Sequence, residues 1–383
     1  MTREQILAFR YHRHHLDRSL TRKDIVESAR AGFQTGVPGT TLLALAARIK
    51  DLKAADLEDA LQDKKSLVEV HCLREATYIV PSEDFAIFTK GVYPTNEDDL
   101  GYFMRPGTGQ LKANHVDIME VVDAAAKVMR EVLKNKALTQ DEIHAEWRKK
   151  LPKKFLWECR GCKSFHLHYS VVASICANGE ACFGPMIDGD SAFTLAKNWL
   201  PKTLFDRAQK MKQEDASHEL VRRYLQFFGP ADVSMFASWA GISKHQASEI
   251  WKLLENELLE IPFAKKTLFL LKKDQKEFNS AKSPKGVHLL PARDPFLDQR
   301  DREIIIPEKK LHSKVWKVLA NPGALLVDGE VEGTWRVQKK GKTLNFGFET
   351  FHKPSHAIKS EIDLQCERIT MLRGCESFKL EIK

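Results

Sequence analysis

Apolar positions at helical spacing dominate the first part of the chain. They recur every three or four residues in 21–33 and 42–49, and a third periodic run begins at Asp56. A short extended segment at 78–81 follows these runs. This spacing predicts helices followed by extended strands, which is the order of elements in a helix-turn-helix with a wing.

The same order of elements recurs twice further along the chain. Residues 117–135 are strongly amphipathic, Thr139 and Glu142 have the spacing of a capping box, and turn-forming residues at 188–190 separate two apolar stretches. The third copy, 218–261, has glycine and proline between its predicted helices and ends in a short apolar strand. The three copies share an order of elements and no obvious residue identity.

Short alternating segments replace this pattern after a polar stretch at 272–286. The segments are 288–295, 302–306, 324–337 and 344–351, with hairpin signals at Asp328-Gly329 and Gly341. A last amphipathic helix at 355–374 is expected to close the chain. These segments predict a small antiparallel sheet or barrel.

We therefore expect an α+β fold with three tandem winged-helix units followed by a small antiparallel β-barrel. The expected boundaries are 1–110 for the first unit, with an N-terminal helix and the loop at Gln34, 111–205 for the second, 206–275 for the third, and 276–383 for the barrel with its terminal helix.

Composition narrows the class of protein. The chain has 383 residues, of which 43% are hydrophobic and 29% charged, with no apolar run long enough to cross a bilayer. This excludes a disordered, collagen-like or membrane-spanning chain. The formal net charge of +8 permits a nucleic-acid partner without proving one. Common nucleotide-binding, zinc-protease and serine-hydrolase motifs do not occur in the sequence.

Two features predict a cytoplasmic protein. The first twenty residues lack the apolar core and the cleavage site of a signal peptide. The seven cysteines are an odd number in a chain long enough to build a core, which favours reduced thiols over a disulfide framework.

A cluster of cysteines resembles a zinc site in its spacing. Cys159 and Cys162 form a C-x2-C pair, and Cys176 and Cys182 follow within about twenty residues. The alternative is that Cys176 and Cys182 are buried thiols, because Cys176 falls on the apolar face of a predicted helix and Cys182 at the start of a predicted strand. We expect no metal, and leave zinc binding by these four residues open.

The N-terminal helix carries His12, His14 and His15 among arginines that include Arg13. Arg13 and His14 are candidates for contact with phosphate. The alternative is a solvated basic helix with one packed histidine. Joint metal binding by His14 and His15 is not expected, since consecutive side chains on a helix point in different directions.

Several stretches taken together resemble the winged-helix family of AlkZ-like, or YcaQ-like, interstrand-crosslink DNA glycosylases. The stretches that carry the resemblance are ILAFRYHRHHLD, GFQTGVP, LALAARI, LVEVHCLREATYIVP, ACFGP, NWLP, RRYLQFFGPADVSMFASWAGIS, LLPARDPFLDQRDR and LLVDGEVEGTWR. They occur in order from about residue 5 to residue 350, so the resemblance covers nearly the whole chain.

The resemblance implies a protein that binds damaged double-stranded DNA as a monomer and excises alkylated or crosslinked bases by hydrolysing the N-glycosidic bond. It implies no cofactor. In catalytic members, a Gln-x-Gln or Gln-x-Asp motif positions water against the sugar. N7-alkylation makes the base cationic and a good leaving group, so a side chain that orients water can suffice.

The catalytic motif is only partly retained in this sequence. The corresponding triplet is Gln34-Thr35-Gly36, in which Gly36 has no side chain. Tyr78 stands where the family has histidine, Arg74 is kept, and Glu75 replaces glycine. Glu75 is a candidate for a replacement carboxylate, and the alternative is a solvent-facing side chain. Arg74 either contacts DNA or is paired within the protein.

Basic residues of the three predicted units and the barrel are the candidates for phosphate contact. They are Arg48 and Lys50, Arg160 and Lys163, Lys244 and His245, and, beside Trp335, Arg336, Lys339 and Lys340. Trp335 and Arg336 are candidates for a minor-groove or backbone contact. Trp239 and Trp251 are expected in the core.

The sequence thus predicts a DNA-binding protein, with Gln34, Arg74 and Glu75 as candidate catalytic residues. The first alternative is a non-catalytic winged-helix DNA-binding or regulatory protein that has lost the second catalytic residue at Gly36. The second is a resistance protein that sequesters a DNA-alkylating natural product in its channel.

Overall fold

The computed structural model describes residues 1–159, 163–298, 300–317 and 319–383 and shows a mixed α+β protein. The candidates Arg160 and Cys162 lie outside the described residues. In chain order, the α-helices are α1 (Arg3–Arg13), α2 (Ile25–Ser28), α3 (Thr40–Arg48), α4 (Ala54–Glu58), α5 (Phe85–Phe88), α6 (Glu97–Phe103), α7 (Arg105–Ala113), α8 (Ile118–Val132), α9 (Gln140–Lys150), α10 (Tyr169–Ala177), α11 (Ala196–Trp199), α12 (Lys202–Lys210), α13 (Gln213–Phe228), α14 (Val233–Ala240), α15 (Lys244–Lys252), α16 (Gln275–Ser280), α17 (Arg302–Ile305), α18 (Lys309–Val315) and α19 (His356–Leu372).

The strands are short, and most are paired as hairpins. They are β1 (Phe33–Gln34), β2 (Leu67–His71), β3 (Thr77–Pro81), β4 (Trp157–Cys159), β5 (Ser164–His166), β6 (Ala181–Ile187), β7 (Asp190–Leu195), β8 (Leu258–Phe263), β9 (Lys266–Leu271), β10 (Val287–Leu290), β11 (Gly323–Val327), β12 (Glu330–Lys340), β13 (Thr343–Thr350) and β14 (Ser377–Ile382). Strands β2 and β3, β4 and β5, β6 and β7, and β8 and β9 form antiparallel pairs.

The chain forms two compact units. The first contains residues 1–58, 222–235 and 256–383, and the second contains 59–221 and 236–255. The first unit is built on a sheet of order β10-β11-β12-β13-β14, in which β14 lies parallel to β13. Leu289, Phe346 and Ile362 belong to the core between this sheet and α19.

The second unit is built from helices and hairpins. Helix α8 begins at Asp117, whose side chain accepts from the Glu120 N–H, and buries the apolar face predicted by its spacing. Helix α9 begins with the predicted capping box of Thr139 and Glu142. Helix α10 packs against α8 and β2, and the predicted turn at 188–190 joins β6 to β7.

The C-terminal region differs from the expectation in three ways. Residues 302–305 form helix α17 rather than an alternating strand, because it buries the adjacent Ile304 and Ile305. Strand β14 follows the helix that was expected to close the chain. The described residues contain an open five-stranded sheet and no closed barrel. The expected count of winged-helix units stays a prediction.

Among the described residues, no helix is both long enough and apolar enough to cross a membrane.

Candidate functional site

The loop that carries Gln34 is open at its third position. Gln34 ends β1, half-buried, and residues 36–39 are exposed. Gly36 has a φ of +118°, and a Cβ placed there would meet no heavy atom within 4 Å. An L side chain rarely adopts this backbone conformation, so glycine suits position 36, and the space next to its Cα is open.

Helix α3 follows this loop and places Arg48 in the interior. Arg48 is 1% exposed, and its guanidinium donates to both carboxylate oxygens of Asp294 at 2.8 Å. It also donates to the Ala44 carbonyl. The prediction that Arg48 contacts DNA is therefore wrong in this structure, because its donors are directed into a buried ion pair. Lys50, two residues later, is exposed.

The basic N-terminal helix is also largely engaged within the protein. His14 is 1% exposed and lies edge-on to Phe227, Phe228 and Phe296, with ring centroids 5.1–5.8 Å away. Burial lowers the pKa of His14 well below its usual value, which keeps its ring neutral. Its expected phosphate contact is wrong, and the packed-histidine alternative fits. Arg13 is mostly buried and pairs with Asp274 and Glu277.

The other predicted cations among the described residues lie at the surface. Arg336 donates to the Ala320 carbonyl at 2.6 Å, and the side chain of His245 is 75% exposed. The exposed members of the predicted set are Lys50, Lys163, Lys244, His245, Arg336, Lys339 and Lys340. Trp335, by contrast, is buried with its N–H donating to the Leu290 carbonyl, so its expected contact with DNA is wrong.

Arg74 holds together two parts of the second unit. It lies in the turn between β2 and β3 with a φ of +53°. Its guanidinium donates to the Trp239 carbonyl at 2.5 Å and to the Tyr78 hydroxyl. A Cβ at Gly241 would lie 2.6 Å from the Arg74 Cα, so this approach needs glycine. Arg74 was expected either to contact DNA or to be paired within the protein, and the contacts seen here are of the second kind.

Glu75 is a buried carboxyl group. It is 4% exposed, with a φ of +59°, so the solvent-facing alternative is wrong. The side chains of Ser170 and Tyr169 interact with this carboxyl group, while its Oε1 has no hydrogen-bond partner among the described residues. Burial raises the pKa of Glu75 to about 7, an effect that these interactions and the charge of Arg105 partly offset. At neutral pH this group can therefore both gain and lose a proton.

The two polar neighbours of Glu75 could not be predicted from the sequence. Tyr169 and Ser170 begin helix α10, about ninety-five positions away in the chain. The only local signal was His168, which caps this helix by accepting from the Ser170 N–H. A capping residue marks where a helix begins and not which distant side chain it meets.

Zinc binding and burial in the core were the two alternatives for four cysteines, and three of these cysteines lie in the described residues. Cys176 and Cys182 are buried, and burial raises the pKa of both thiols. Raised thiol pKa values disfavour the thiolate that zinc requires. In the part of the chain that the structure describes, no group of three or more potential metal ligands occurs.

The chain belongs to the DNA glycosylase AlkZ-like family, whose model matches residues 28–371. This confirms the resemblance found in the sequence. The chain is 23% identical over 201 residues to the interstrand DNA cross-link repair glycosylase of Streptomyces sahachiroi. That match covers 50% of this chain and 52% of the relative, so it spans about half of the relative's length.

The fold is shared over the full length. The structure is similar to that of the Streptomyces sahachiroi DNA glycosylase AlkZ, with a TM-score of 0.79, 17% sequence identity and coverage of 100% of both chains.

Proposed function

We propose that this protein binds double-stranded DNA carrying alkylated or crosslinked bases and hydrolyses the N-glycosidic bond of the damaged nucleotide. The observation that carries the proposal is membership of the DNA glycosylase AlkZ-like family over residues 28–371, supported by the shared fold. The proposal includes three winged-helix units and a monomeric protein.

The exposed cations support binding to DNA. Lys50, Lys244, Arg336, Lys339 and Lys340 are directed to solvent on both units. Phosphate contacts of this kind supply affinity without sequence preference.

The Gln34 loop supports catalysis. The Gln34 amide is half-buried beside an unfilled space at Gly36, which leaves room for a sugar and an attacking water. A base alkylated at N7 is a cationic leaving group, so orienting that water lowers the barrier without a strong base. In this proposal Gln34 holds the water, and no metal or organic cofactor takes part.

A second candidate function is favoured by Gly36. The partner that the family motif supplies at this position is absent, and its backbone conformation disfavours any other residue. In this alternative the protein binds DNA as a non-catalytic or regulatory protein that has kept the fold.

One experiment separates the two functions. A duplex containing a single N7-methylguanine is incubated with the protein, treated with alkali, and examined for strand cleavage at the abasic site. Catalysis predicts cleavage above the spontaneous rate that is lost in Gln34→Ala. Cleavage at equal rates with the wild type and Gln34→Ala would contradict the role of Gln34, and bound but intact DNA would identify the non-catalytic alternative.

A further inference from the structure

Two exposed aromatic side chains of the second unit lie in one row. Trp157 is 36% exposed and Tyr169 is 47% exposed, and no other tryptophan, tyrosine or phenylalanine of the described residues is as exposed. His168 lies between them, with ring centroids 5.1 Å from Trp157 and 4.6 Å from Tyr169. We call Trp157, His168 and Tyr169 the aromatic row.

The backbone and its neighbours hold the row in place. Trp157 begins β4 opposite His166 of β5, and the two rings meet edge to face at 5.7 Å. His168 is fixed by capping α10, through the bond that its Nδ1 accepts from the Ser170 N–H. A Cβ at Gly107 would lie 2.7 Å from this Nδ1, so glycine there allows α7 to pack closely.

The exposed ring of Tyr169 has two neighbours that restrict it. The His168 ring lies 4.6 Å away between centroids, and the buried carboxyl group of Glu75 interacts with the Tyr169 side chain. The Tyr169 ring is therefore ordered at the surface before any ligand binds. Rings that are already ordered lose little conformational entropy on binding, which favours a stacking role.

The charges near the row favour an anionic ligand. Arg105 is exposed and acts on Glu75 beneath Tyr169, and Lys163 is exposed at the turn between β4 and β5. Arg148 donates to the Phe165 carbonyl of the same hairpin. Glu158 is on the opposite face of β4 from Trp157, since side chains alternate along a strand.

We propose that the aromatic row binds unpaired nucleotides of DNA by stacking their bases on Trp157 and Tyr169. Paired bases bury their faces against their neighbours, so exposed aromatic rings flanked by cations fit bases that have left the stack. The inference rests on the proposed binding to DNA and adds to it the part of the damaged duplex that the second unit recognises.

The test compares two labelled DNA ligands by fluorescence anisotropy. One is a short duplex, and the other has the same sequence with a run of unpaired thymidines at its centre. Trp157→Ala and Tyr169→Ala should each weaken binding to the second ligand by about 5- to 150-fold, the range for removing one base–aromatic stack. Binding to the fully paired duplex should not change.

Two further variants serve as controls. Trp157→Phe keeps a flat ring and should retain most of the affinity. Leu253→Ala removes another exposed apolar side chain, 44% exposed in the same unit, and should leave both ligands bound as in the wild type. Circular dichroism melting of each variant confirms that it is folded.

The outcomes separate this inference from the proposed function. If the wild type binds the duplex but Trp157→Ala and Tyr169→Ala bind both ligands normally, the aromatic row is not a nucleotide site. Equal losses on both ligands also overturn the inference, because stacking requires unpaired bases. If the wild type binds neither ligand, the proposed function itself fails, and the inference fails with it.

Discussion

Replacing Glu75 with glutamine should stabilise the protein at alkaline pH and not at acidic pH. Glutamine keeps the shape of the side chain and places a neutral amide beside Tyr169 and Ser170, but it cannot ionise. In the wild type, burial raises the pKa of Glu75 from 4.5 to about 7. Below pH ~4.5 the carboxyl is protonated in both the folded and the unfolded chain, so its ionisation does not change the free energy of unfolding.

The sign and size of the effect follow from this shift. As the pH rises from 4.5 towards 7, the unfolded carboxyl ionises while the folded one stays protonated, so the free energy of unfolding falls. The loss is complete above the folded pKa. At about 1.4 kcal/mol for each pKa unit, the rise in pKa corresponds to about 3 kcal/mol. Glu75→Gln removes this loss.

The assay is urea unfolding of the wild type and Glu75→Gln at about pH 4 and about pH 8.5, on either side of the transition. The free energy of unfolding of the variant minus that of the wild type should increase by up to about 3 kcal/mol from the lower to the higher pH. Glu158→Gln, which neutralises an exposed carboxyl of the same unit, controls for net charge. Parallel pH profiles for Glu75→Gln and the wild type would refute the reasoning.

Two further substitutions test the interior of the first unit. Asp294→Ala leaves the Arg48 guanidinium buried without its carboxylate. In urea unfolding, the free energy of unfolding should fall by about 3–5 kcal/mol. An unchanged urea midpoint would show that the ion pair is dispensable. Gly323→Ala places a Cβ 2.4 Å from the Trp335 Nε1. It should lower the free energy of unfolding by about 1–3 kcal/mol and lower the thermal midpoint. A wild-type melting temperature would contradict this close packing.

Elements with local signals were predictable from the sequence. Helices α8 and α9 begin at Asp117 and at the Thr139–Glu142 capping box, and their apolar faces follow the sequence spacing. The β6–β7 turn is likewise encoded by turn-forming residues. Helix α17 and strand β14 were missed because their conformations depend on packing and on pairing with distant segments.

The candidate site also contains some residues that the sequence indicated and others whose surroundings it did not. Gln34 and Gly36 were identified as candidates because the motif is contiguous in the chain, and their role stays a prediction. The burial of Arg48 was not predicted, because its partner Asp294 is 246 residues away. The burial of Glu75 was not predicted for the same reason, since its neighbour Tyr169 is distant in the sequence.

The salt dependence of binding to an intact duplex tests the central claim most directly, because both candidate functions require DNA binding. Anisotropy titrations of a labelled duplex at increasing salt should give an affinity whose logarithm falls linearly with the logarithm of the salt concentration, as released counterions require. Substituting Lys339 and Lys340 together with alanine should make that slope shallower. The absence of binding at low salt, or an affinity independent of salt, would contradict the account.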